Sequence, residues 1–213
     1  MTRRSLVVVS AGIRQPSATR LLAERLSAAT TEHLGELGVE PAASVVELRE
    51  HAQDLTNNLL TGFPSPRLRT AVDSVLSTDG LIAVTPIFNA SYSGLFKLFF
   101  DVIEKDALGG KPVLIAATGG TARHSLALEH AVRPLFAYLN AAVVPTAVYA
   151  ASEDWGDGGN GVDGGLVDRI DRAAGELARA IAAGSTDRPV DPFEHPADFE
   201  ELLGGLRAGT ERL

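Results

Sequence analysis

Apolar residues along this chain fall into two patterns that alternate from one end to the other. Short, mostly apolar runs occupy residues 6–10, 43–48, 81–85, 112–117 and 142–149; a run without polar alternation predicts a strand buried on both faces, as in a parallel sheet. Longer stretches with apolar positions three and four apart occupy residues 17–37, 65–76, 94–103, 125–139 and 162–183, and predict helices. Pro134 falls inside the fourth of these, where it cannot donate the expected backbone hydrogen bond, so that helix is expected to break or bend there. Residues 49–64 show no period and collect Gln53, Asn57, Asn58, Gly62 and Pro64, which predicts an irregular segment of a length that seldom occurs without a function.

Strands alternating with helices predict an α/β fold: a flavodoxin-like, doubly wound, five-stranded parallel sheet in the order 2-1-3-4-5, with helices on both faces. Ligands of such sheets bind beyond the carboxyl ends of strands one, three and four. The unusual turns of this sequence fall there, at residues 10–17, 86–93 and 118–124. Residues 1–184 form this domain. Residues 185–213 hold seven acids against three Arg and read as an acidic surface extension with one short helix at 197–206. Residues 152–165 hold six Gly and four acids without the ligand order of a calcium loop, which predicts a mobile loop and not a metal site; Trp155 within it is expected to pack across a subunit interface.

Composition narrows the function. A formal net charge of −8 argues against a nucleic-acid or anionic-membrane partner, leaving only a local basic patch around Arg14 and Arg20. Without cysteine there is no disulfide and no thiolate chemistry. The first residues, Met1-Thr2-Arg3-Arg4, lead directly into a strand without a leader pattern, and no apolar run approaches ~18 residues, which predicts a cytoplasmic protein. His51, His130 and His195 lack metal-ligand spacing and read as surface or helix-packing residues, and Lys97, Asp101 and Lys105 as a solvated helix end with two i,i+4 pairs.

The first turn, Ser10-Ala11-Gly12-Ile13-Arg14-Gln15-Pro16-Ser17, joins a buried strand to a helix start, where unpaired N–H groups and the helix dipole favour an anion. Arg14 and the hydroxyls of Ser10, Ser17 and Thr19 add donors, and the absence of GxGxxG and GxxxxGK[ST] favours a monophosphate. Small residues in such a turn are equally what close strand–helix packing demands. In the second turn Phe88 offers an aromatic edge and Asn89 both a donor and an acceptor, as a flat heterocycle requires. The third, Thr118-Gly119-Gly120-Thr121-Ala122-Arg123-His124, lets backbone approach a planar ring without Cβ interference.

Taken together, SAGIRQPSAT, TPIFNASYSGLFKLFFD and TGGTARHS resemble the phosphate loop, the [ST]PxYNxSxSGxLKNxxD segment and the Gly-Gly turn of the NADPH-dependent FMN reductase family, over residues 6–149. The resemblance implies that Ser10, Arg14, Ser17, Ala18 and Thr19 hold the FMN phosphate. It implies also that Pro86, Ile87, Phe88 and Asn89 line the ribityl chain and isoalloxazine, and that Thr118, Gly119 and Gly120 form the turn at the ring edge. Ala11, Thr19 and Phe88 depart from the usual Ser or Gly, Asn and Tyr, which alters the phosphate geometry and removes one phenol contact. The implied activity is hydride transfer from NADPH or NADH to FMN, with nicotinamide C4 held roughly 3–3.5 Å from flavin N5, and with reduced flavin passing to a partner monooxygenase or to small acceptors such as quinones. His124 is the catalytic candidate, touching flavin or nicotinamide, unless it caps the helix that follows; Arg123 would meet the cofactor's second phosphate. The segment 94–103 is apolar almost all round, and with the family's habit this predicts a homodimer or homotetramer. An electron carrier without its own NAD(P)H oxidation and an interaction domain that has lost its flavin are the other readings.

Overall fold

The structure, a computed structural model, describes residues 2–155 and 165–184. The expectations for the tail from 185 on, and for most of the Gly-rich loop, lie outside them.

In chain order the strands are β1 (Thr2–Ser10), β2 (Val39–Glu47), β3 (Gly80–Phe88), β4 (Ser91–Tyr92), β5 (Pro112–Gly119), β6 (Ala142–Val143) and β7 (Val148–Ala151). The helices are α1 (Ala18–Glu36), α2 (Ala52–Thr61), α3 (Pro66–Ser77), α4 (Gly94–Asp101), α5 (Arg133–Tyr138) and α6 (Leu166–Ala183). Parallel pairing runs β2-β1-β3-β5, and β6 and β7 both pair with β5, so together they fill the fifth position. This is the expected doubly wound order with two corrections: β4 pairs antiparallel with β3 where only a turn was expected, and the last strand, expected to be continuous over 142–149, is two pieces. Pro145 has no N–H to give to a ladder. The interruption is satisfied from outside, by Arg133 donating to the carbonyls of Val144 and Pro145 (3.1 and 3.0 Å) and by Glu176 accepting from the backbone and hydroxyl of Thr146 (2.8 and 2.7 Å).

The period of two along β1 divides the core. Val7 and Val9 face the cluster built with α3, α4 and α5, while Leu6 and Val8 face the cluster built with α1 and α6. The first cluster is filled by Phe96, Phe99, Phe100 and Phe136, with Phe100 ring centroids 4.8 Å from both Phe96 and Phe136. In α4 Phe96, Phe99 and Phe100 are buried, and Leu95 and Leu98 are only half covered. Lys97 and Asp101 pair on its outer side, but the expected Asp101–Lys105 pair does not form; Lys105 stands 5.9 Å from the Tyr138 ring centroid.

Two other expectations change. The stretch 49–64 is mostly the helix α2, whose only buried side chain is Leu55; Ala52, Leu55 and Leu59 share one narrow face among polar residues, and Leu59 and Leu60 face solvent. The helix expected over 125–139 is a π turn, Leu128–Val132, followed by α5, with the Arg133 N–H reaching back to the Leu128 carbonyl. Pro134 then sits in the first turn of α5, where no N–H is required of it. Among the described residues no helix is long and apolar enough to cross a membrane.

At the amino ends of β1 and β3, Asp79 accepts from the Ser5 N–H (2.7 Å), the Ser5 hydroxyl (2.8 Å) and Arg4 (3.1 Å). Burial alone would raise its pKa, but these donors outweigh burial and hold the carboxyl below its ordinary value. A carboxylate depressed in the fold contributes stability above its unfolded pKa of about 4 and loses it as pH falls through the lower folded value. Thermal melts between pH 6 and 3 should therefore show a drop in Tm below about pH 4 that is shallower in Asp79→Asn; equal slopes for the two proteins would remove Asp79 from the account.

Candidate functional site

The three turns converge at the carboxyl end of the sheet. The Ala11 N–H still bonds the Val84 carbonyl (2.9 Å), so the chain leaves the sheet only at Gly12. A Cβ on Gly12 would lie 2.2 Å from the Ser17 hydroxyl, which caps α1 by accepting from the Arg20 N–H at 3.2 Å. Glycine here makes room for the cap. The Ser17 hydroxyl is thereby engaged by the helix, while the N–H groups of Ala18 and Thr19 in the first turn of α1 have no intrahelical acceptor.

Of the residues expected to hold a phosphate, Arg14 and Ala18 are exposed, Ser17 is half-buried, and Ser10 and Thr19 are buried beneath the loop. The Thr19 hydroxyl meets the Thr118 hydroxyl at 2.8 Å, both side chains buried. This bond ties the first turn to the third, an arrangement the sequence did not announce. The Ser10 Oγ is buried with no partner, an orphan polar atom under the same loop. Open helix N–H groups, an exposed guanidinium and this orphan hydroxyl fit the phosphate of a flavin mononucleotide.

The second turn is a hairpin. β3 continues to Phe88 and pairs with β4, Phe88 opposite Ser91, and the two linking residues Asn89 and Ala90 have φ of 48° and 69°. Two left-handed residues between paired strands make a type I′ turn, in which Asn is favoured for its backbone alone. Asn89, read from sequence as a donor and acceptor for a heterocycle, thus has a structural reason to be there as well. Pro86 is buried, Ile87 half-buried, and Phe88 and Asn89 are exposed. The Thr85 hydroxyl accepts from the Ser93 N–H (3.1 Å), and the Ser93 hydroxyl caps α4 (3.2 Å), which fixes the hairpin to the sheet. Pro86 stands in register with Thr118, bringing the second turn beside the third.

In the third turn Gly119 is explained by a neighbour and not by a ligand. A Cβ there would lie 1.9 Å from the Tyr149 hydroxyl, and that hydroxyl donates to the Thr121 carbonyl at 2.9 Å. Gly120 differs: nothing lies within 4 Å of its Cβ position. The backbone freedom expected of both glycines is available to a ligand at Gly120 alone. The cap in this turn is Thr121, whose hydroxyl accepts from the Arg123 N–H. His124 is therefore not the cap; it is exposed and has no hydrogen-bond partner among the described residues.

A cleft of about 760 Å³ opens on the outer side of the phosphate loop, lined by Arg14, Ser17 and Ala18 on one side and by Arg25 and Trp155 on another. It reaches neither the hairpin nor the Gly-Gly turn. Trp155 packs within the chain, carrying the Arg25 guanidinium 5.1 Å from its ring centroid and resting on the core beneath α1 and α6. The basic patch expected around Arg14 and Arg20 shifts: Arg20 is bound by Glu47 and by Glu24 (2.7 Å), which raise its pKa, leaving Arg14 without an acidic partner among the described residues. His51 is buried, as helix packing predicts, and burial first and Arg67 second lower its pKa; His130 is exposed. Among the described residues no group of side chains could hold a metal ion.

Comparison with known proteins shows the family. Residues 5–156 match the family described as NADPH-dependent FMN reductase. Over 184 residues the chain is 38% identical to an FMN reductase (NADPH) of Pseudomonas aeruginosa, covering 85% of this chain and 94% of that one. It is 37% identical over 156 residues to an NADH-dependent FMN reductase of Pseudomonas putida, covering 73% and 81%. A crystal structure of an oxidoreductase from Corynebacterium diphtheriae superposes with a TM-score of 0.82 at 45% identity, covering 87% of this chain and all of that one. The chain belongs to the NADPH-dependent FMN reductase family.

Proposed function

We propose that this chain reduces FMN with NADPH or NADH, the flavin lying across the three turns at the carboxyl ends of β1, β3 and β5. The observation that carries the reading is their convergence: the Thr19–Thr118 hydroxyl bond joins the first turn to the third, and the register of Pro86 with Thr118 joins the second to the third. When bound, FMN supplies the hydride acceptor, so the protein needs no nucleophile or strong acid. The chain's part is to bind and orient. Arg14 and the open N–H groups of Ala18 and Thr19 hold the phosphate, Pro86, Ile87, Phe88 and Asn89 flank the ribityl chain and ring, and Gly120 leaves space at the ring edge.

His124, exposed at the far end of the same turn as Gly120, would touch flavin or nicotinamide. His124→Ala is expected to lower kcat/KM for NAD(P)H by about tenfold or more, equivalent to ~1.4 kcal/mol, with FMN affinity within a few-fold and an unchanged Tm. Unchanged kcat/KM would end its catalytic role. The activity itself is tested by anaerobic titration of the FMN-loaded protein with NAD(P)H: flavin absorbance should bleach, and its persistence would overturn the reading. Relatives are named for NADPH and for NADH. The same proposal includes a cytoplasmic setting and delivery of reduced flavin to a monooxygenase or a small acceptor such as a quinone. It also includes a homodimer or homotetramer in which the half-covered Leu95, Leu98 and Val102 meet a second copy; a monomeric mass by light scattering at micromolar protein would exclude that assembly.

A further inference from the structure

Around the cleft outside the phosphate loop, three guanidinium groups stand without a carboxylate partner among the described residues: Arg14, Arg25 and Arg49. The other charges lining it are engaged, Arg20 with Glu24 and Glu47, and Glu50 with Arg67 at 2.7 Å. In a chain of net charge −8, a cleft where positive charge goes unanswered is a local reversal of the whole surface. These arginines come from three separate places, the first turn, α1 and the short turn Leu48–His51 that follows β2. Arg25 lies over the Trp155 ring, and Arg49 lines the same cleft beside Gln15. A guanidinium seated on an indole presents a flat cationic surface on which a purine stacks, and a neighbouring guanidinium matches a phosphate bidentately. The cleft volume of about 760 Å³ lies within the usual range for small-molecule sites. It shares the phosphate loop with the flavin site, at Arg14, Ser17 and Ala18.

We propose that this cleft receives the adenosine 2′-phosphate end of NADPH, the adenine stacked at Arg25 and Trp155 and the 2′-phosphate on Arg49, and that it thereby selects NADPH over NADH. The inference rests on the reductase reading, since that reading supplies the nicotinamide nucleotide. NADH carries no 2′-phosphate and leaves Arg49 desolvated without an anion, the situation in which a polar site rejects a ligand most strongly.

The test is calorimetric titration of 2′,5′-ADP and, separately, 5′-AMP into the full chain saturated with FMN, so that the phosphate loop is already filled. The wild type should bind 2′,5′-ADP about tenfold or more tightly than 5′-AMP, and Arg49→Ala should abolish that preference. Arg25→Ala should weaken both nucleotides, and kcat/KM for NADPH relative to NADH should fall in step with the Arg49→Ala result. Equal affinity of the wild type for the two nucleotides overturns the proposal without any variant. So does a preference that survives Arg49→Ala, or one lost in Arg123→Ala instead, which would move the phosphate to the third turn. Oxidation of NADH and NADPH by the wild type with FMN separates the two failures. If both are oxidised with equal kcat/KM and the two nucleotides bind alike, the cleft assignment fails while the reductase reading stands. If neither is oxidised, the reductase reading fails, and preferential 2′,5′-ADP binding would still establish the nucleotide site.

Discussion

Arg14→Ala is expected to weaken FMN binding about ten- to a hundredfold while leaving riboflavin binding within a few-fold, because the lost interaction is a charge-assisted hydrogen bond to phosphate worth about 1.5–3 kcal/mol. The fold should not notice. Arg14 is exposed and has no ion-pair partner among the described residues, so the melting temperature of the free protein should stay within about 2 °C. The comparison with riboflavin matters because it separates phosphate recognition from ring recognition in one protein: in the proposed site the same hairpin and Gly-Gly turn would serve both flavins. Fluorescence titration with the two flavins reads all four affinities. Equal binding of FMN and riboflavin by the wild type would show that the loop from Ser10 to Thr19 is a packing turn, the other reading that its small residues allow.

That ambiguity shows what the sequence could and could not carry. The strands β1, β3 and β5 were legible because each contains an apolar run buried on both faces and too short for a helix, although β1 starts four residues before its run, at Thr2. α2 was not, because its apolar positions are few: Ala52, Leu55 and Leu59 share a face, but Gln53, Asn57, Asn58 and Gly62 read as an irregular segment, and only Leu55 is buried. The fifth strand looked continuous because Val143, Val144, Ala147 and Val148 are all apolar, and Pro145 outweighed them. In the site, residue types were right and several reasons for them were not. Asn89 adopts a left-handed hairpin conformation, Ser17 caps α1, and Gly119 yields to Tyr149, three local demands that leave the same residue a ligand would want. The Arg25–Trp155 platform was invisible from sequence, since 130 positions separate its members and only the fold brings them together.

The two glycines of the third turn offer a sharper test than any charged residue, because they are adjacent and differ in one respect. In Gly119→Ala the new Cβ falls 1.9 Å from the Tyr149 hydroxyl and 2.9 Å from its Cζ, so the ring must move and its bond to the Thr121 carbonyl is lost. Overpacking costs about 1–3 kcal/mol and the hydrogen bond about 1 more, which for a chain of this size lowers Tm by roughly 5–15 °C. Tyr149→Phe removes the nearest clashing atom, so the double variant should cost less than the sum of the two single ones. Gly120→Ala meets nothing within 4 Å, and its Tm should match the wild type. If the flavin ring lies against this turn, the added methyl group occupies its space, and FMN affinity should fall about tenfold or more with stability unchanged. A Gly120→Ala protein that binds FMN as well as the wild type would place the ring away from the Gly-Gly turn, whatever Gly119→Ala does to the fold.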